Sequence, residues 1–349
     1  MPSIFSVYCY TINGLAVFFN IFLLLISTRK SVEAIRELRY FLSNVAVCLV
    51  VFAACVGSLQ PQMATRGSMN IRIIHGPARY LAESSIKFLA SIAVVAYLYS
   101  SLSFALFFVY RLMILSNSSL FGQYFNRRTL LIAFIVLFII CCFEGIILYF
   151  AAVPYNDLYE RLNRSNTILE SSQNDTKPPL AIQSSLISNH TIIEPEIRPS
   201  LFGDDFNKNP LILIFHGSVT FVEMLSFVIT LVCAHFMLKI LKRKQGVMSQ
   251  DMYLENEAIV HTVFAQAFVP FFLSTPIAVS TLLAYIYGNS LVWQEYIPTY
   301  LISLVPLITP ILSLVFITPY WNTILHWISF EKFRSHQEEA VKKAATADT

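Results

Sequence analysis

The hydrophobic positions of this chain gather into seven long runs, near 4–27, 40–60, 86–110, 130–153, 210–238, 259–287 and 297–317. A bilayer core about 30 Å thick is crossed by roughly 20 apolar residues at 1.5 Å rise each. Each run meets that length, and the densest stretches carry no charge: 134–143 reads FIVLFIICCF and 227–233 reads FVITLVC. The pattern predicts an all-α membrane protein, a seven-transmembrane helix bundle in one domain over 1–333, followed by a tail at 334–349. There is no internal repeat, and an odd span count argues against the paired inverted halves of many transporters. Composition agrees: 56% of the residues are hydrophobic and 13% charged, with a mean hydropathy of +0.62, values poorly suited to a chain kept in solution.

The polar segments between the runs sort by charge. Lys and Arg number four in 28–39, three in 111–129, four in 239–258 and four after Pro319, fifteen on one side of the membrane. The other side has none before the first run, three in 61–85, none in the last loop and five spread through the long segment 154–209. Basic residues are retained on the cytoplasmic side, and long translocated loops weigh little in that rule. The expected orientation is therefore N-terminus outside and C-terminus cytoplasmic. Three glycosylation sequons agree: Asn163, Asn174 and Asn189 each open one, all within 154–209. A fourth, at Asn117, falls in an expected cytoplasmic loop and is expected to be unused. The first run begins almost at Met1 without a basic leader or small-residue cleavage site, and reads as a retained signal-anchor.

Segment 154–209 is rich in Ser, Asn, Pro and acids. Such sequence cannot bury enough apolar surface to order itself, so a long, largely flexible extracellular loop is expected. Beyond the seventh run, 320–333 (YWNTILHWISFEKF) is rich in aromatic residues and suits an interfacial helix in the headgroup plane. A short continuation of the seventh helix, broken at Pro319, is the alternative. All six cysteines lie inside the runs, so no extracellular disulfide framework is available, and they read as small buried hydrophobes.

Ionisable groups inside a span are costly and mark function. Glu144 in the fourth run and Glu223 in the fifth qualify, with Lys87 and Glu83 at the outer end of the third and His216 near the outer end of the fifth. Lys87, Glu144, His216 and Glu223 are the candidate ligand-binding residues; a neutral glutamate held by neighbouring Ser or backbone is the competing reading. Pro270 and Pro276 in the sixth run, and Pro306 and Pro310 in the seventh, remove backbone donors and are candidate hinges. Enzyme signatures are missing: no span carries an Asp, and no G-x-S-x-G, H-E-x-x-H or phosphate-cradling glycine loop occurs. His235 and His261, with Glu255 and Glu257 nearby, lack a third fixed ligand for a metal hydrolase. No catalytic residue, cofactor, metal site or nucleic-acid contact is expected.

The motifs then come into view in order. His75-Gly76-Pro77-Ala78-Arg79-Tyr80 leads into the third run, Ser103-Phe104 and Tyr110-Arg111 close it, and Arg39-Tyr40, Leu42 and Asn44 open the second. Gln266-Ala267 and Pro270 mark the sixth, with Pro306-Leu307-Ile308-Thr309-Pro310 and Ile317-Thr318-Pro319-Tyr320 in and after the seventh. Together, over most of the chain except 154–209, these resemble the nematode serpentine chemoreceptors, the Srd-like group of the Str superfamily. Ala78 stands where that family usually has Cys, the long loop offers no partner Cys, and Trp321 replaces a usual Arg. The resemblance implies a G-protein-coupled chemoreceptor of sensory neurons, displayed at the plasma membrane on cilia, reading a small environmental or pheromone-like molecule. It implies a small-molecule ligand and a heterotrimeric G protein as partners besides the bilayer. Tyr110 and Arg111, with Lys239, Lys242, Arg243 and Lys244, are the candidate G-protein-facing residues; headgroup binding is their competing role. A transporter or ion-channel subunit is the alternative class, for which Glu144 and Glu223 are the only midplane charges.

Overall fold

A computed structural model of the chain describes residues 2–29, 36–66, 69–116, 127–153, 157–158, 160, 201–206, 209–246, 249–287, 292–317, 320–326 and 329. Asn163, Asn174, Asn189, most of segment 154–209, much of 320–333 and the tail lie outside the described residues. Seven described helices are long and apolar enough to cross a membrane. They are α1 (Pro2–Arg29), α2 (Arg36–Leu59), α3 (Glu83–Ser116), α4 (Arg127–Ala151), α5 (Leu211–Lys244), α6 (Gln250–Tyr287) and α7 (Val292–Phe316). Helices α3, α5 and α6 are 34, 34 and 38 residues long. At 1.5 Å per residue the shorter two span roughly 51 Å, well beyond the apolar layer. Hydropathy finds the apolar middle of such helices and misses the polar turns that extend them.

Helix α3 is the central post. It packs against α2, α4, α5 and α6, and 67% of its apolar window is buried against 17% for α4. Its buried surface is unusually small-grained: Ala90, Ser91, Ala93, Ala96, Ser100, Ser101, Ser103 and Ala105 let neighbouring backbones approach. At Gly145 of α4 the approach to α3 is tight, since a Cβ there would sit 2.6 Å from Val95 Cγ2. Helix α4 turns Ile132, Ile135, Ile139, Phe143 and Phe150 outward, a face suited to lipid. Toward the end of the bundle where α3 finishes, Phe41 of α2 packs edge-on to Phe107 at 5.2 Å and against Phe134 of α4 at 5.0 Å.

The loops at the other end hold an antiparallel three-stranded sheet, β1 (Pro61–Arg66), β2 (Met69–Ile74) and β3 (Leu201–Asp205), in the order β1-β2-β3. β1 and β2 form a hairpin in which Pro61 faces Ile74 and Arg66 faces Met69. β3 pairs with β2 from Met69–Asp205 to Ile73–Leu201, and Val153 at the end of α4 donates to Gly203 O at 2.7 Å. Within the segment 154–209, expected to be largely flexible, residues 201–205 thus form a strand. β3 gains its order from main-chain pairing with a strand far away in sequence rather than from burial of its own side chains.

The turn from α2 into β1 shows how the sheet is aimed. Gln60 adopts φ 46°, the left-handed conformation that ends a helix, and its amide still donates to Val56 O at 2.8 Å. Across that turn passes Gly76, where a Cβ would lie 2.1 Å from Ser58 O. Only glycine permits this approach. A short 3₁₀ turn, Pro77–Tyr80, then leads into α3.

Candidate functional site

Glu223 sits one-third of the way along α5, and the residues around it repeat at helical spacing. Glu223, Ser226, Phe227 and Thr230 fall at i, i+3, i+4 and i+7, one face of α5. Ala267, Pro270, Phe271 and Ser274 repeat the same spacing on α6, and Ser101 and Phe104 face them from α3. These ten residues line a cavity of about 20 Å³, room for one group the size of water. Ser274 Oγ donates to Glu223 Oε2 at 3.0 Å, and the buried Tyr97 lies within electrostatic reach of the same carboxylate. Ser226 Oγ donates to the Ser101 carbonyl at 2.9 Å. The Ser101 and Thr230 hydroxyls, 8% and 1% exposed as residues, have no hydrogen-bond partner among the protein's own described groups. Phe227 and Phe271 stack at 3.9 Å with their planes parallel.

The other three candidate ligand residues lie elsewhere. Glu144 is buried between α4 and α5 and accepts from Ser218 Oγ at 2.8 Å, a tie between two helices. Lys87 pairs with Glu83 one turn earlier at 2.6 Å and donates to Ala152 O at 3.3 Å, capping the end of α4. His216 Nε2 stands 3.7 Å from Asp204 Oδ2 of β3. The four ionisable groups singled out from the sequence therefore occupy separate places, and Glu223 alone lines the cavity. Hydropathy gives no helix rotation, so Ser101, Ser226, Thr230 and Ser274 escaped notice. The signal that reveals them is the polar stripe Glu223-x-x-Ser226-Phe227-x-x-Thr230, which repeats at helical spacing on one face of α5.

The sheet end is knit by a second set of buried polar groups that the sequence reading also missed. Arg72 of β2 pairs with Asp204 Oδ2 at 2.6 Å and lies over the Phe202 ring at 5.0 Å. Cross-strand register explains the contact, because Arg72 faces Phe202 directly. Gln62 of β1 donates to Glu295 of α7 at 2.7 Å, and its side-chain oxygen meets His75 Nε2 at 2.8 Å. Burial lowers the His75 pKa, and the Arg79 guanidinium adds to the effect. Thr299 of α7 donates to the Pro61 carbonyl, while Phe5 of α1 packs edge-on to His75, Tyr296 and Tyr300. The sheet is thus fastened to α1, α5 and α7 by specific polar and aromatic contacts.

At the opposite end Arg111 of α3 donates to Asn256 Oδ1 of α6 at 2.5 Å, and Lys244 of α5 donates to the Leu115 carbonyl at 2.8 Å. Tyr110 is buried against Phe41 at 5.6 Å. Lys239, Lys242 and Arg243 are exposed and populate the last turns of α5, where cations complement the helix dipole. Tyr320, beyond α7, is buried, and burial pushes its phenol up to about 12 against the opposing pull of Arg39.

The prolines lie inside continuous helices: Pro270 and Pro276 in α6, and Pro298, Pro306 and Pro310 in α7. Pro310 has no N–H, so the carbonyl four residues earlier, that of Pro306, loses its helical donor. Asn20 of α1 supplies a replacement, with Nδ2 2.6 Å from Pro306 O. Asn13, two turns earlier, donates to Ser303 Oγ at 3.3 Å. The missing backbone bond in α7 is therefore exchanged for an interhelical one.

Comparison with known proteins places this bundle. The model of the serpentine type seven-transmembrane G-protein-coupled chemoreceptor family Srd matches residues 5–326. The serpentine receptor class delta-51 of Caenorhabditis elegans is 22% identical over 335 residues, covering 95% of this chain and 90% of that protein. The match runs from α1 through the described part of the segment after α7, so the chain belongs to the Srd family of serpentine seven-transmembrane chemoreceptors.

Proposed function

We propose that this family member is a chemosensory receptor that binds a small environmental or pheromone-like molecule between α3, α5 and α6 and signals to a heterotrimeric G protein at the end carrying Arg111. The observation that carries this reading is the cavity at Glu223, where a carboxylate, unpartnered hydroxyls and aromatic rings from three helices converge within an apolar bundle. Pockets of that make-up are the default binding sites of helical bundles. Pro270 lines the cavity, so a ligand there bears directly on a helix whose backbone ladder is already weakened. A ligand that prefers one arrangement of α6 shifts the population toward it.

The charge distribution supports an orientation with the N-terminus and the sheet outside and the basic end cytoplasmic. In that orientation Asn163, Asn174 and Asn189 carry the glycans, and the protein works at the plasma membrane of a sensory cilium. The hinge role falls to Pro270 and Pro276 in α6 and to Pro306 and Pro310 in α7. Arg111, tied to Asn256, and the basic last turns of α5 form the surface a G protein meets. No group in this scheme performs catalysis, in keeping with a receptor class.

The test is resonance energy transfer from the receptor to a panel of G-protein α-subunits in one cell line, with surface labelling of the same cells. Arg111→Ala is expected to reduce coupling while surface density stays at the wild-type value. Parallel loss of both would make Arg111 a folding residue and remove it from the coupling surface. Glycosidase treatment of wild type and the Asn163/Asn174/Asn189 triple variant is expected to show a mobility shift only in the former.

A further inference from the structure

The Glu223 cavity has a chemical preference built into it. Among the described residues no cation faces Glu223; Ser274 Oγ donates to its Oε2 and the buried Tyr97 hydroxyl lies beside the same carboxylate. A carboxylate removed from water without a counter-charge is costly to ionise, so a cation entering the site would stabilise its charged form. Ser101 Oγ and Thr230 Oγ1 add two oxygens that are buried, face the same space and lack partners. The remaining Glu223 oxygen and these two hydroxyls make three acceptors. Three acceptors match the three N–H donors of a primary ammonium group.

Size and lining agree with that chemistry. A cavity of about 20 Å³ holds one group of water size, which is the size of an ammonium head. The rest of the wall is hydrocarbon: Phe104, Phe227, Phe271, Ala267 and Pro270. Aromatic faces favour a cation and also cover an apolar chain attached to it. An anionic head would instead meet Glu223 with like charge, and a neutral alcohol would leave the carboxylate without its counter-charge.

We infer that this cavity recognises the head of a small primary amine, its ammonium held by Glu223, Ser101 and Thr230, with the rings of Phe104, Phe227 and Phe271 moving apart to cover its apolar tail. The inference rests on the receptor reading for its biological consequence and on the cavity alone for its chemistry.

The experiment uses the full chain in lipid nanodiscs with three probes of equal length: hexylammonium, 1-hexanol and hexanoate. Hexylammonium is expected to raise the thermal midpoint saturably, with the other two giving no saturable shift. Loss of a charge-assisted contact of about 1.5–3 kcal/mol corresponds to roughly 10–100-fold weaker binding in Glu223→Gln, a variant that keeps the acceptor for Ser274. Thr230→Val, which removes one acceptor at constant shape, is expected to weaken binding about fivefold, the effect of a neutral hydrogen bond. Equal shifts from 1-hexanol, or unchanged affinity in both variants, overturn the inference. A Glu223-dependent shift from sodium chloride matching that of hexylammonium also overturns it, making the cavity an inorganic cation site. G-protein coupling is read on the same receptor without any probe: coupling without amine binding sinks the ligand class alone, and Glu223-dependent amine binding without coupling to any α-subunit sinks the receptor reading alone.

Discussion

At the sheet end, Asp204 meets a guanidinium at 2.6 Å and an imidazole at 3.7 Å. In the middle of the bundle, Glu223 meets the Ser274 hydroxyl at 3.0 Å, the buried Tyr97 and a cavity, with no cation among the described residues. Both are carboxylates held away from water in a chain with little charge to spare. Asp204 is neutralised within the protein, and although its Oδ1 and Arg72 Nη1 lack hydrogen bonds, its charge is answered. Glu223 is left with hydroxyls that have nothing to bond. The first arrangement ties the strands to each other and to α5; the second lines a cavity between α3, α5 and α6.

The contrast breaks most visibly at Arg72. Arg72→Ala strands Asp204, fully buried, without its cation, and removing one member of a buried pair costs about 3–5 kcal/mol. The expected result is a fall of the thermal midpoint large enough to cut surface delivery, read by thermal melting in nanodiscs and by surface labelling. Arg72→Met combined with Asp204→Leu removes both charges and is expected to recover much of the loss, since apolar replacement of a whole buried pair is far milder. Next in size is Asn20→Ala. It strips the Pro306 carbonyl of its substitute donor, a buried acceptor left bare, at about 1–3 kcal/mol, seen as a lower midpoint with the fold retained.

The two regions also differ in how readable they were. The seven spans, and Glu144 and Glu223 within them, stand out because charge is rare in an apolar run. The sheet does not. β2 (MNIRII) is a plausible strand by composition, but β3 (LFGDD) carries a glycine and two aspartates, residues that strands disfavour. Its place is fixed by pairing with a partner more than a hundred residues earlier, and no local periodicity records such a pairing. The Arg72–Asp204 ion pair inherits that invisibility. The cavity lay between these extremes: its carboxylate was conspicuous, its hydroxyl stripe was present at helical spacing, and the rotation that brings three stripes together is a property of packing. For the same reason Glu144, as conspicuous as Glu223 in the sequence, turns out to hold α4 to α5 instead of lining the cavity.

Smaller effects sharpen the comparison. Ser218→Ala removes the donor to Glu144, and interhelical hydrogen bonds within membranes average about 0.6 kcal/mol. A drop of the midpoint by one or two degrees is the expected outcome, with ligand responses unchanged. His75 gives the sheet end a pH dependence. Its folded pKa is lowered, so below the usual histidine value of about 6.5 the unfolded chain takes up a proton before the folded one does. Stability present above that value is therefore lost as the pH falls beneath it, and the loss levels off below the lowered folded value. The difference in midpoint between wild type and His75→Gln, measured from pH 7.5 to 5, is expected to shrink as the pH is lowered.

The smallest expected effect is the most telling. Glu223→Gln in the empty receptor keeps an oxygen for Ser274, removes a charge that has no partner, and offers amide hydrogens to the idle Ser101 and Thr230 hydroxyls. Relief of the buried charge offsets whatever the weaker hydrogen bond loses, so the midpoint without ligand is expected to move by less than about 0.5 kcal/mol in equivalent stability, in either direction. Thermal melting of the two proteins in identical nanodiscs decides it. A fall comparable to that of Arg72→Ala would mean that Glu223, like Asp204, is a tie within the fold. An unchanged midpoint would separate Glu223 from Asp204, whose pairing with Arg72 holds the strands of the sheet together.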